Sequence, residues 1–270
     1  MFVQRLISGI ILLAIMIGSV CLGGNVLFAL VVAISLVGLM ELYRVINIHK
    51  TPLAVLGYVA TIVLDFSIYF GKSDFMFYTI VVLMLFVMAC YVIFYPKYNS
   101  NQVSMTIFGF VYVSVMLSYL YQLRVLDNGI YFIWLAFIGA WGSDTCAYVV
   151  GMLIGKHKLP SELSPKKSIE GCIGGIVGAS LIGFIYATVF KTHLAPIENP
   201  QVAFAIIGAA SSVLSQIGDL AASAIKRNHS IKDYGKLIPG HGGILDRFDS
   251  IIFTAPIVFL LLQVLVNRGY

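Results

Sequence analysis

The chain has 270 residues, 60% of them hydrophobic and only 11% Asp, Glu, Lys or Arg, and its mean hydropathy is +0.96. A soluble domain carries about 25% charged residues, so a water-soluble globular enzyme is excluded. Despite a formal net charge of +5, no nucleic-acid partner is indicated; this is the composition of a chain immersed in lipid.

Apolar runs near the ~20 residues needed to cross a bilayer recur over 6–22, 26–43, 53–70, 75–95, 104–122, 130–154, 169–190, 203–223 and 246–266. They predict an all-α, polytopic membrane protein with about nine transmembrane helices. Arg5 before the first run suggests a signal peptide. No small-residue cleavage site follows, however, and Val20 makes Cys21 a poor lipoprotein acceptor, so the segment reads as a retained first helix. Cys21, Cys90, Cys146 and Cys172 all lie in apolar runs without a CxxC pair, which argues against a disulfide framework or a zinc site.

Nine crossings put the N-terminus and every second loop on one face. Thirteen of the 17 Lys and Arg residues fall there, against Lys72, Arg124, Lys191 and Arg268 opposite. Cytoplasmic loops collect positive charge, so the N-terminus is expected in the cytoplasm and the C-terminus outside. That describes a protein integral to the plasma membrane (the inner membrane of a bacterium) with its active site facing the cytoplasm.

Residues 1–125 carry no catalytic pattern and read as scaffold, lipid contact or oligomer surface. Residues 126–270 read as the catalytic region, because both long basic loops and most acidic residues lie there. An ionised carboxylate inside hydrocarbon costs several kcal/mol, so it faces a partner or a watery cavity. Asp144, Asp219 and the pair Asp246 and Asp249 are expected at one depth, just below the cytoplasmic surface. Asp65 is expected toward the outer side, apart from them, in a structural role. Asp246 and Asp249 are three residues apart and share a helical face, while Ser215, Asp219 and Ser223 recur at intervals of four. Carboxylates without a His or Cys cluster suit a hard cation such as Mg²⁺, held together with substrate phosphates.

The loop GKHKLPSELSPKKSIE, residues 155–170, ends in a helix-start pattern. Ser164 is the expected N-cap and Pro165 the first helical residue, which places Lys166, Lys167 and Ser168 in the first turn, where anions are favoured. Gly171 with Gly175, and Gly174 with Gly178, form overlapping GxxxG pairs that read as close helix packing. No Walker A loop occurs, since Phe66 stands where the first glycine belongs before Gly71-Lys72-Ser73. The run Pro239-Gly240-His241-Gly242-Gly243 offers bare backbone that can approach phosphates, with Lys226, Arg227 and Arg247 around it.

The run Ser223-x-Ile225-Lys226-Arg227-x₄-Lys232-Asp233-x-Gly235-x₂-Ile238-Pro239-x-His241-Gly242-Gly243-Ile244-x-Asp246-Arg247-Phe248-Asp249 resembles the signature of the phosphatidate cytidylyltransferases, the CDP-diacylglycerol synthases. SDTCAY (143–148), SPKKSIEG (164–171) and Gln216-Ile217-Gly218-Asp219-Leu220 are similar to further elements of that family. The resemblance covers about residues 140–255. Cys146 departs from it, standing where the family usually has glycine, as does Ser168-Ile169 in place of Thr-Trp.

The resemblance implies metal-dependent cytidylyl transfer from CTP to phosphatidic acid, with pyrophosphate as the second product. It implies membrane lipids as surroundings, a homodimer, Mg²⁺ (or Mn²⁺) and a second, monovalent cation. On this reading Asp219 and Asp246 are the leading metal ligands, with Asp144 and Asp249 as their partners. Lys167, Lys226, Arg227 and Arg247 neutralise phosphates, and His241 binds phosphate or assists proton transfer. Ser164, Lys166, Ser168, Ser223, Lys232, Gly242 and Gly243 complete the substrate contacts. A CTP-dependent lipid kinase, which would release CDP instead, is the nearest rival. Transport is disfavoured because the halves differ and no repeat is visible.

The basic asymmetry yields a test. A cysteine introduced at Lys232 should react with an impermeant thiol reagent only from the cytoplasmic side, and one near the C-terminus only from outside. Labelling of both from one side would mean an odd error in the number of crossings.

Overall fold

The computed structural model describes residues 2–159, 163–165, 167–194 and 197–265, and every regular element among them is helical. The helices are α1 (Phe2–Leu22), α2 (Gly24–Val45), α3 (Pro52–Tyr69) and α4 (Phe75–Ile93). α5 (Ser100–Gly109), a π-helical turn (Phe110–Val115) and α6 (Met116–Val125) then form one rod. α7 (Gly129–Phe137), a second π turn (Ile138–Gly142) and α8 (Ser143–Ile154) form another. α9 (Ile169–Val189), α10 (Pro200–Asn228) and α11 (Leu245–Leu265) complete the chain. Among the described residues these make nine rods at the nine apolar runs. Eight are long and apolar enough to cross a membrane, and α1 has a shorter apolar stretch, Leu6–Leu22. The chain is an all-α polytopic membrane protein.

Helix starts follow local chemistry. Pro52 stands in the first turn of α3, where its missing N–H costs nothing. Asn99 and Gln102 form a reciprocal capping box at α5, with the Gln102 N–H donating to Asn99 Oδ1 at 2.9 Å. The start of α9 corrects the expectation for Ser164 and Pro165. The helix begins at Ile169, and its N-cap is Ser168, whose hydroxyl oxygen accepts from the Gly171 N–H at 3.1 Å. The residues before it are drawn into extended pairing with 157–159. Leu159 N–H donates to Lys167 C=O and Ile169 N–H to His157 C=O, both at 2.9 Å, and these bonds outweigh the Ser-Pro signal. The first turn of α9 therefore carries Glu170, the charge its dipole favours, while Lys167 lies ahead of the N-cap.

Contacts divide the chain into two compact units. The first runs to Gln122 and includes His229–Phe248; the second comprises Leu123–Asn228 and the chain from Asp249 onward. In the first, the fully buried Tyr43 of α2 donates its hydroxyl to the Thr106 carbonyl of α5 at 2.7 Å. Gly57 of α3 and Gly109 of α5 make room for its ring. In the second, glycines let helices touch backbone to backbone. Gly171 rests on the Ala147 carbonyl, Gly174 on Val150 and Gly178 on Cys146, which packs α9 against α8 as the GxxxG pairs implied. Gly183 and Gly208 likewise bring α9 and α10 together, against the Phe204 and Ala179 carbonyls. Ser143 of α8 and Ser212 of α10 share a buried hydrogen bond of 2.6 Å.

This seam makes Cys146 and Gly178 a size-matched pair. Gly178→Ala should press a methyl group into Cys146 and cost about 1–3 kcal/mol, as overpacking does, lowering the thermal midpoint of the purified protein. Adding Cys146→Gly should recover most of that loss. Equal midpoints for the single and double variants would show that the contact is slack.

Candidate active site

In the second unit, the side chain of Asp219 on α10 meets Lys167 from the segment before α9. Lys167 Nζ lies 2.6 Å from Asp219 Oδ2, and the side chains are 26% and 32% exposed. The ammonium nitrogen itself is sealed from solvent. One turn before Asp219, Gln216 Nε2 donates to the Cys172 carbonyl of α9 at 3.1 Å, fixing the register that brings the pair together. Gly218 packs on the Asp249 carbonyl and the Phe253 ring of α11, so Asp219 and Asp249 come from adjacent stretches of two packed helices. Asp249 is buried, and its Oδ1 accepts from the Ser250 N–H at 2.8 Å. Asp144 lies in the first turn of α8, just after the π turn, with an exposed side chain.

Ser223 and Lys226 continue the Asp219 face of α10 and are half-buried, whereas Arg227 is exposed. Ser164 is half-buried in the turn that ends with Lys167 N–H donating to its carbonyl at 3.2 Å. Ser168 is occupied as the α9 cap. Lys166 lies outside the described residues.

In the first unit, the signature loop folds onto the start of α11. Residues 238–242 form a tight turn, with Ile238 N–H donating to Gly242 C=O at 2.9 Å. Gly240 and Gly242 stand at φ 77° and 86°, a region open to glycine. Asp246 is 6% exposed, and its Oδ2 accepts from Tyr234 N–H at 2.8 Å and Gly243 N–H at 2.9 Å. The N–H of Gly243, expected to meet phosphate, is thus engaged by Asp246. His241 Nδ1 lies 2.8 Å from the hydroxyl oxygen of Ser8 on α1, and that hydroxyl is 3.0 Å from the Pro239 carbonyl, to which it can donate. Arg247 Nε is buried and meets no acceptor among the described residues. Lys232 is exposed.

Two contributors escaped the sequence reading. Ser8 holds the turn at His241. Glu41, 2% exposed on α2, accepts from Ile244 N–H at 3.2 Å and Leu245 N–H at 2.9 Å. A signal for Glu41 existed, since it is an acid in an apolar run. No signal marked Ser8, a hydroxyl that a lone helix satisfies itself. Asp65 stands elsewhere, buried in α3, and its Oδ2 has no hydrogen-bond partner among the described residues. Also among the described residues, no three His, Cys, Asp or Glu side chains gather in a group that could hold a metal ion.

In the second unit a basic residue is thus sealed against an acid from a separate segment, and in the first a glycine turn is locked to the start of a helix. Residues 3–265 match the sequence model of the cytidylyltransferase family. The chain belongs to that family. It is 31% identical to the phosphatidate cytidylyltransferase of Bacillus subtilis, over 96% of this chain and 97% of the relative. It is 32% identical to that of Staphylococcus haemolyticus, over 96% and 98%, and 32% identical to that of Synechocystis, over 98% and 99%. The similarity takes in the N-terminal helices that the sequence motifs left out.

The Lys167–Asp219 pair can be separated from general positive charge. Lys167→Ala should lower kcat/KM by roughly 10- to 150-fold, the worth of a charge-assisted contact of about 1.5–3 kcal/mol. Lys97→Ala, an exposed lysine over the Phe94 ring, should change it little. Equal, small effects at both positions would reduce Lys167 to a topology charge.

Proposed function

We infer that this chain catalyses the reaction for which its relatives are named, transferring the cytidylyl group of CTP to phosphatidic acid to give CDP-diacylglycerol and pyrophosphate. It is a nucleotidyltransferase of phospholipid biosynthesis. The observation that carries the site is the meeting of two separate motifs, Lys167 of SPKKSIEG against Asp219 of the QIGDL element.

A phosphate oxygen of phosphatidic acid attacks the α-phosphorus of CTP. A new P–O bond forms, the bond to the oxygen bridging the β-phosphorus breaks, and pyrophosphate leaves with the electron pair. The nucleophile is already an anion, so the protein's task is positioning and charge neutralisation. Lys167, Lys226, Arg227 and Arg247 supply the positive charge. Arg247 suits this role because its buried Nε has no acceptor among the described residues, a deficit an anionic ligand would repair. His241, with Nδ1 beside Ser8, binds phosphate or assists proton transfer on this reading.

Asp219 and Asp246, with Asp144 and Asp249 as their partners, are the proposed ligands of Mg²⁺ or Mn²⁺. An all-oxygen donor set suits a hard cation, which needs only one or two carboxylates besides substrate phosphates, and Asp219 already balances one positive charge, that of Lys167. When bound, such a cation offsets charge on the phosphate oxygens. A second, monovalent cation and a homodimer belong to the same proposal. So do a cytoplasmic N-terminus, an inner-membrane location and a site facing the cytoplasm, which rest on the basic asymmetry of the loops.

Purified protein given CTP and phosphatidic acid should release pyrophosphate; release of CDP would make it a lipid kinase. Activity should vanish with EDTA and return with Mg²⁺ or Mn²⁺. Asp219→Asn and Asp246→Asn should lose nearly all turnover, while Asp65→Asn keeps most of it. Asparagine's carbonyl still accepts from Tyr234 and Gly243, so loss in Asp246→Asn reports the missing charge. Near-normal turnover and Mg²⁺ dependence in both variants would sink the metal assignment.

A further inference from the structure

We propose that Glu41 is a positioning residue for this reaction, an acid reaching from α2 to set the geometry of Asp246 and Arg247. The proposal rests on the functional reading above. Glu41 lies in a helix with no catalytic motif, yet it is 2% exposed and uses both carboxylate oxygens on the signature segment. Its partners are the N–H groups of Ile244 and Leu245, at the very start of α11. A helix start attracts anions through its unpaired N–H groups and its dipole. Here the chain fills that position with its own acid.

Two glycines are shaped by the same carboxylate. A side chain on Gly235 or Gly243 would run into the Glu41 carboxylate. Gly243 also donates to Asp246 Oδ2, as does Tyr234. Glu41 and Asp246 therefore hold the same segment, and between them they occupy the N–H groups of Tyr234, Gly243, Ile244 and Leu245. Asp246 follows Leu245 directly, so the direction of its carboxylate depends on where Glu41 pins the helix start. Arg247 follows in turn, its N–H donating to the Ile244 carbonyl at 2.9 Å. Glu41 touches neither CTP nor lipid in this scheme; it acts through the segment it holds.

Glu41→Gln is the discriminating variant. Its amide keeps one acceptor but turns an N–H donor toward one of the two backbone N–H groups, leaving that group without an acceptor. Hydrogen exchange of the full-length protein in detergent, read by mass spectrometry, should show exchange over 234–246 rising by ~10-fold or more, the scale of one lost buried bond. Peptides from α9 and α10 should stay protected. In the same preparation kcat should fall by ~10-fold or more, with the KM for CTP and for phosphatidic acid little changed. Unchanged exchange, or raised exchange with normal kcat, would overturn the proposal. If Glu41→Gln loses protection everywhere, Gly235→Ala decides, because its methyl crowds the same carboxylate without removing it; normal kcat there overturns the proposal too. Failure of the functional reading would look different, since wild-type protein would then release CDP or no product while the exchange contrast persisted.

Discussion

The interaction on which the rest depends is the matching of three carboxylates, those of Glu41, Asp219 and Asp246, in a chain whose apolar surroundings make a lone charge costly. An unmatched charge in hydrocarbon costs several kcal/mol, and this chain answers in two ways. Asp219 receives an ammonium, from Lys167 at 2.6 Å. Glu41 and Asp246 receive backbone N–H groups, two each. The difference has consequences. An ammonium cancels the charge and can be drawn off by a stronger anion such as a polyphosphate. N–H dipoles solvate the carboxylate without cancelling its charge, and they fix its place because the backbone cannot swing away. One acid is thus exchangeable in its partner, and the other two are structural fixtures of the loop.

That division accounts for the glycines of the signature. Bare backbone in a basic loop suggests room for phosphate, and Gly242 and Gly243 invite that interpretation. The structure supplies a nearer cause. A side chain at Gly235 or Gly243 would strike Glu41, and one at Gly242 would strike Asp246 as well as being strained at φ 86°. The loop is thin because two buried acids must fit against it. The glycines of α9 follow the same principle at larger scale, each removed side chain being matched by a backbone or a side chain of α8 or, at Gly183, by the backbone of α10.

The fold was legible because membrane helices announce themselves by length and apolarity, and the nine runs need no tertiary information. The glycine pairs were legible for a similar reason, since their spacing repeats along one helix face. The Lys167–Asp219 pair was only half legible. Asp219 stands out as a charge in an apolar run and Lys167 as a cation at an expected helix start, but their pairing spans 52 residues and depends on the register that Gln216 and Cys172 fix. The start of α9 was misjudged because Ser164-Pro165 is a strong local signal. It lost to the bonds between 157–159 and 167–169, which join positions that local reading treats separately. Glu41 was passed over because no motif surrounds it, and its partners are main-chain groups without a sequence signature.

The α11 terminus then decides how the site can recognise anions. A free helix start would bind phosphate through main-chain N–H groups, with little dependence on which side chains surround it. With Glu41 on Ile244 and Leu245, and Asp246 on Gly243, that route is closed at these three positions. In the proposed scheme recognition passes to side chains that the same packing presents: Arg247, whose Nε is buried without an acceptor among the described residues, and His241, held by Ser8. Arginine offers a planar fork of donors suited to two phosphate oxygens at once. A site that has used its own acids to occupy a helix start keeps its backbone rigid and leaves the choice of ligand to a few side chains. For a reaction that consists of aligning one phosphate with another, a fixed backbone serves the positioning half of the protein's task.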